Sequence, residues 1–171
     1  MHGSPPDPAA KTRPRRALRP AIIGWREVVG LPDLGLVPLR AKIDTGARTS
    51  ALHARAVRLY EQDGVEWVAF EAPRPGAPHR TRRPAVPCRA RVFARRAVRN
   101  TSGIPEERVI IRTRLALAQH LFVIELSLAD RTDMLFPLII GRTAVRSPGL
   151  LVDSGRSWLA GPPPPCPEPQ P

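Results

Sequence analysis

The stretch that decides the fold runs from Val37 to Ala54, VPLRAKIDTGARTSALHA. Leu39, Ala41 and Ile43 alternate with Arg40 and Lys42, the two-residue period of a strand with one buried face. The alternation stops at Asp44-Thr45-Gly46, and a second, less regular one follows through Leu52, Ala54 and Val57. The segment therefore reads as two strands joined by a sharp loop, with Asp44 where the first strand ends. Gly46 permits close backbone approach and positive φ in that loop, and the Thr45 hydroxyl can hold it. By itself, Asp-Thr-Gly reads as well as an Asx-type turn.

The same reading extends outward. Upstream, Ile22, Ile23, Trp25, Val28 and Val29 form a β-prone run that gives way to Pro32-Asp33 and Gly35. Downstream, residues 65–70, 86–93, 109–117 and 121–128 are strand candidates separated by proline-rich or polar stretches. The segment APRPGAPHRTRRPAVP, 72–87, lacks the ladder donors of a central strand and reads as a long basic excursion. Residues 134–140 form an apolar run broken at Pro137. After it come Gly141-Arg142, a helical turn at 143–145 and a closing strand pair around 150–152 and 157–159.

One domain is the default for 171 residues, and 22 prolines with only four phenylalanines favour short elements over long helices. The expected organisation is a flexible basic arm over 1–19, a mostly β domain over 20–161 and a proline-rich tail over 162–171. No apolar run is long enough to span a membrane, and the N-terminus lacks the apolar core of a secretory signal, so a soluble cytoplasmic protein is expected. Cys88 and Cys166 are only two, the second in the proline-rich tail, which argues against a disulfide framework and leaves room for a single bridge.

Lys and Arg number 27 against 15 Asp and Glu, a formal charge of +12 that attracts polyanions. Between Ala72 and Pro105 there are many arginines and no carboxylate. Phe93 is the lone aromatic of that stretch, so the arginines read as a solvated surface, with no specific nucleic-acid partner expected.

KIDTGARTSALHA (42–54) together with PLIIGRTAV (137–145) resembles the paired features of retropepsin-like aspartic peptidases: the catalytic loop and a later apolar-apolar-Gly strand. More closely, IGWREVVGLPDLGL (23–36), VIIRTRL (109–115), DMLFPLIIGRTAV (133–145) and LLVDSGRSWLAG (150–161) are similar to a bacterial retropepsin-like family labelled ATP-dependent zinc proteases. The resemblance covers about residues 22–161. It implies an acid-protease β barrel with short helical insertions and a catalytic Asp44. Thr45, Gly46 and Ala47 would support the loop, and Ile139, Ile140 and Gly141 would pack beside it.

Acid-protease chemistry needs two carboxylates, and one Asp-Thr-Gly loop supplies one, so the resemblance implies a homodimer. The basic excursion takes the place of a retropepsin flap. The function expected is an aspartate-dependent hydrolase, endopeptidase or amidase, acting on peptide or glutamyl-type amide bonds, with an acidic substrate and a separate ATP-grasp partner implied by the family. The alternatives are a non-enzymatic peptide-binding or assembly module and a zinc-dependent amidohydrolase.

Arg48, His53 and Arg142 are candidate substrate contacts, each with a plainer reading as a loop or packing residue. Asp153 could pair with Arg48 or Arg142, or end its strand. His53, Cys88 and His120 with Asp44 fit no compact ligand spacing, and the sequence has neither a phosphate loop nor a His-Glu-x-x-His helix. No metal and no cofactor are expected, zinc entering only through the family label.

Overall fold

The computed structural model describes residues 20–76, 85–99, 105–132, 134–146 and 148–163. The strands are β1 (Ile22–Gly24), β2 (Arg26–Leu31), β3 (Leu36–Asp44), β4 (Ser50–His53), β5 (Arg55–Gln62), β6 (Val65–Ala72), β7 (Val86–Arg99), β8 (Pro105–Leu117), β9 (His120–Ala129), β10 (Leu138–Gly141) and β11 (Leu151–Asp153). A 3-10 turn covers Pro32–Leu34, and α1 (Arg142–Arg146) is the helical turn expected after Gly141. The arm over 1–19, the centre of the basic excursion at 77–84 and the tail beyond 163 lie outside the described residues.

Six strands close on themselves in the order β2-β3-β10-β4-β9-β8, the seam being the pair Gly30 and Ala116. β7, β6 and β5 continue outward from β8 as an open sheet. This is the retropepsin-like barrel that the sequence implies. Leu39, Ala41 and Ile43 point inward as the alternation requires, meeting Leu52, Leu115, Leu126, Leu138 and Ile140 in one core. Each large aliphatic side chain buried there contributes about 1.5–3 kcal/mol. Among the described residues, no helix is long and apolar enough to cross a membrane.

Several local expectations need correction. The run from Ile22 to Val29 is split at Trp25, and β1 leaves the barrel to pair in parallel with β11, Ile22 opposite Leu151. Residues 157–159 are not the partner strand of a closing pair. Trp158 has φ 62°, and the segment is held by the fully buried Glu27, whose carboxylate accepts the backbone N–H groups of Gly24, Leu159 and Ala160. The alternation through 50–60 breaks where Ala56 takes φ 50° and the β5–β6 register shifts, which leaves Val57 exposed. Phe93 is also less isolated than its strand suggests. The open sheet brings Tyr60 to stack on Trp67, Arg91 over Trp67 and Arg112 over Phe93.

Candidate active site

Asp44 ends β3 beside Gly141, the two residues paired in parallel register with Ile140 next to Ile43. Its Oδ1 accepts the backbone N–H groups of Gly46 at 3.1 Å and Ala47 at 3.2 Å, which folds the loop back over the carboxylate. A Cβ on Gly46 would stand 3.3 Å from that oxygen, so glycine serves close approach there, and Gly46 is not among the residues of positive φ. Thr45 and Gly46 are exposed, Asp44 and Ala47 half-buried. Among the described residues, neither Oδ2 of Asp44 nor the Thr45 hydroxyl makes a hydrogen bond that holds the loop.

The far side of the loop is stitched to the turn after β10. The Arg142 amide donates to the Ala47 carbonyl at 2.9 Å, and its Nη1 donates to the Gly46 carbonyl at 2.7 Å. Thr143 Oγ1 donates to the Arg48 carbonyl at 2.8 Å. Beneath them, the fully buried Ser50 accepts the Gly141 amide on its hydroxyl at 3.1 Å, and Ser127 donates to the Ser50 carbonyl at 3.1 Å. Arg142 is thus placed as a brace of the loop that carries Asp44. Arg48 is exposed at the loop's end.

His53 stands elsewhere. Its amide donates to the Pro137 carbonyl, four residues before Gly141 and so roughly 13 Å down the strand from the level of Asp44. Its ring is buried, and Nδ1 accepts the Arg131 amide at 2.8 Å, which fixes the neutral tautomer protonated on Nε2. Asp130 Oδ1 lies 3.6 Å from Nδ1, but an acceptor nitrogen cannot also donate to it, so a charged pair does not form in this arrangement. Asp130 makes an Asx turn with Thr132 instead, and those hydrogen bonds hold its carboxyl below the usual range. A polar cleft of about 370 Å³ near His53 is lined by Arg55, Val57, Glu107, Arg108, Leu128 and Asp130 and does not include Asp44.

Arg131 is the site neighbour that sequence reasoning misses. Burial and the nearby Arg108 push its pKa down, while the Asp44 carboxylate, within electrostatic reach, pulls it up. Asp153 pairs with neither Arg48 nor Arg142. It binds Arg156 at 2.7 Å and the Gly155 amide at 2.9 Å, ending β11.

The residues that zinc would use do not fit it. Cys88 is buried inside β7, its thiol against the carbonyls of Leu34 and Val86, and burial raises its pKa to about 11. His120 starts β9 at the hairpin, and His53 has Nδ1 occupied. Among the described residues, no three His, Cys, Asp or Glu side chains converge as a metal site.

A closed barrel that sets an Asp-Thr-Gly loop against an Ile-Ile-Gly strand and a following helical turn defines the retropepsin-like class. The chain belongs to the RimB-like family within it: the family described as retropepsin-like aspartic endopeptidase RimB matches residues 22–163. Among curated proteins, it is 40% identical over 141 residues to a probable alpha-L-glutamate ligase of Desulfotalea psychrophila, covering 82% of this chain and 29% of that protein. A protein of the same description from Shewanella halifaxensis is 34% identical, with coverage of 82% and 30%. The chain therefore spans less than a third of the length of these relatives. Among solved structures, Lpg0085 of Legionella pneumophila, described as of unknown function, superposes with a TM-score of 0.65 at 26% identity, covering 82% of this chain and 98% of that one.

Proposed function

We propose that the chain is one half of an aspartate-dependent hydrolase that cleaves peptide or glutamyl-type amide bonds, with Asp44 of two identical subunits forming the catalytic pair. The observation that carries this reading is the loop itself. Backbone N–H groups take one oxygen of Asp44, and the loop that presents it is exposed at Thr45, Gly46 and Arg48. The chain holds one Asp-Thr-Gly sequence, so the second carboxylate comes from a second copy.

Two carboxylates brought together share one proton, because both cannot stay charged at that separation. The ionised member takes a proton from water, which attacks the amide carbonyl. The protonated member donates to the carbonyl oxygen, and the proton then passes to the leaving nitrogen. The adduct is a tetrahedral diol of the substrate, and no acyl-enzyme forms. The relatives named as glutamate ligases support a glutamyl substrate and a ligase as the activity it works beside.

The test compares the unmodified protein with Asp44→Asn on a library of peptides and oligoglutamate conjugates. Amide hydrolysis that disappears in Asp44→Asn supports the reading. Equal hydrolysis by both proteins, or none by either while acidic peptides still bind, would replace it with a binding module.

A further inference from the structure

The outward faces of β2, β3 and β10 form the floor beside Asp44, and their side chains decide what can lie next to the reacting bond. Residues two apart on a strand point the same way, about 7 Å apart. Lys42 is therefore the nearest same-face neighbour of Asp44 along β3, Ile43 between them being turned into the core. The sheet register sets Arg26 of β2 on one side of Lys42 and Ile139 of β10 on the other. Lys42 is exposed, and Arg26 and Ile139 are half-buried.

Arg26 is held in place. Its guanidinium lies 4.1 Å from the Trp25 ring centroid and 5.6 Å from that of Trp158, and its Nε donates to Ser157 Oγ at 3.0 Å. Among the described residues, no carboxylate lies within ion-pair distance of Arg26 or Lys42. The adjacent Glu27 points into the barrel and is taken up by backbone N–H groups. Two cations directly opposite on antiparallel strands repel each other and cost stability. A carboxylate placed between them would relieve that repulsion.

We propose that Lys42, with Arg26 beside it, reads a carboxylate side chain on the residue adjoining the scissile bond, while Ile139 receives the methylene groups of that side chain. These are specificity residues for glutamyl substrates. The proposal rests on Asp44 being the hydrolytic centre, and it adds the residues that select the bond.

The test uses fluorogenic peptides identical except for Glu, Gln or Lys at the positions flanking the cleaved bond. The unmodified protein should favour Glu over Gln by about tenfold or more in kcat/KM, the scale of one charge-assisted hydrogen bond. Lys42→Met should bring that ratio close to one, and Lys42→Glu should turn the preference toward the Lys peptide. Arg58→Gln, which removes the same charge on β5, should leave the ratio unchanged. A Glu preference that survives in both folded Lys42 variants would overturn the proposal, and so would its equal loss in Arg58→Gln. A parallel titration measures binding of the uncleaved Glu and Gln peptides to Asp44→Asn protein with and without Lys42→Met. If the unmodified protein cleaves nothing, the hydrolase reading falls and this titration alone decides the carboxylate site. A Glu advantage lost with Lys42→Met supports it, and equal binding of the two peptides sinks it.

Discussion

Gly141 lies directly beside Asp44 on the adjoining parallel strand, and a methyl group there would come within 2.7 Å of the Thr49 carbonyl carbon and 2.8 Å of the Arg48 carbonyl oxygen. Both atoms are backbone and belong to the loop that carries Asp44, so the loop and not a flexible side chain would have to move. Gly141→Ala should cost about 1–3 kcal/mol of stability, as overpacking does. Turnover should fall by a larger factor than the unfolded fraction accounts for, because the shift reaches Asp44 through residues 45–49. Thermal unfolding and kcat measured on the same preparation check this, and a variant with unchanged values for both would contradict the fit.

Glu27 ties the start of the barrel to the segment after β11. Its carboxylate is fully buried and accepts N–H groups from Gly24 at 2.5 Å, Leu159 at 2.9 Å and Ala160 at 3.2 Å. Glu27→Ala orphans those donors, so a loss of about 2–4 kcal/mol is expected. Amide hydrogen exchange at Leu159 and Ala160 should accelerate well before that of the β8–β9 ladder. Uniform acceleration across the barrel would mean that Glu27 supports the whole core and not this segment.

Asp33 supplies a pH dependence with a definite sign. Burial alone would raise its pKa, but hydrogen bonds from Arg114, the Arg114 charge and a hydrogen bond from Thr113 outweigh it, and the folded value lies below the ordinary 3.8. A lowered folded pKa means stabilisation that is full above the unfolded value and lost as pH falls through the folded one. Asp33→Asn should therefore melt earlier than the unmodified protein at neutral pH, with the gap shrinking below 3.8. A gap that widened on acidification would contradict the assignment.

The part of the site that is legible in sequence is the part written in neighbouring residues. Asp44, Thr45 and Gly46 interrupt a clean alternation, and Ile139, Ile140 and Gly141 recur at the end of an apolar run, so the loop and its flanking strand can be read directly. What joins them is a register between strands almost a hundred residues apart, and that depends on the whole barrel closing. Lys42 is visible only as the polar member of an alternation until the register sets it between Arg26 and Ile139. Arg131 sits in a turn with no periodicity to single it out. Glu27 reads as one more polar residue of a surface strand, since its burial is decided by where residues 157–160 cross. His53 illustrates the converse: nine residues from Asp44 in sequence, it ends far down the same sheet because β4 runs away from the loop.

The dispersal of His53, Cys88 and His120 bears on the zinc label of the related family. A thiol raised to about 11 by burial and an imidazole whose Nδ1 accepts a backbone amide are poor ligands without rearrangement. Protein purified without added metal should carry well below one zinc per chain, and chelation should leave amide hydrolysis intact. Stoichiometric zinc, with activity lost on chelation and restored by zinc, would require a different site and a different mechanism.

The dependence of Asp44 on a second copy of itself makes the most discriminating prediction. If each subunit contributes one carboxylate to a shared pair, Asp44→Asn preserves the fold, because an amide oxygen can still accept the Gly46 and Ala47 N–H groups. Turnover should fall by about a thousandfold or more, since the amide can neither carry the charge that activates water nor exchange the shared proton. Mixed dimers of one unmodified and one Asp44→Asn chain, separated by differential tags, should be nearly as inactive as the double variant, although half of the carboxylates remain. Two independent sites would instead leave about half the turnover at the optimal pH. Half-activity in a verified mixed dimer, or full activity in a demonstrated monomer, would remove the shared pair. Attention would then turn to Arg131, whose charge and that of the Asp44 carboxylate lie within electrostatic reach of each other in the same chain.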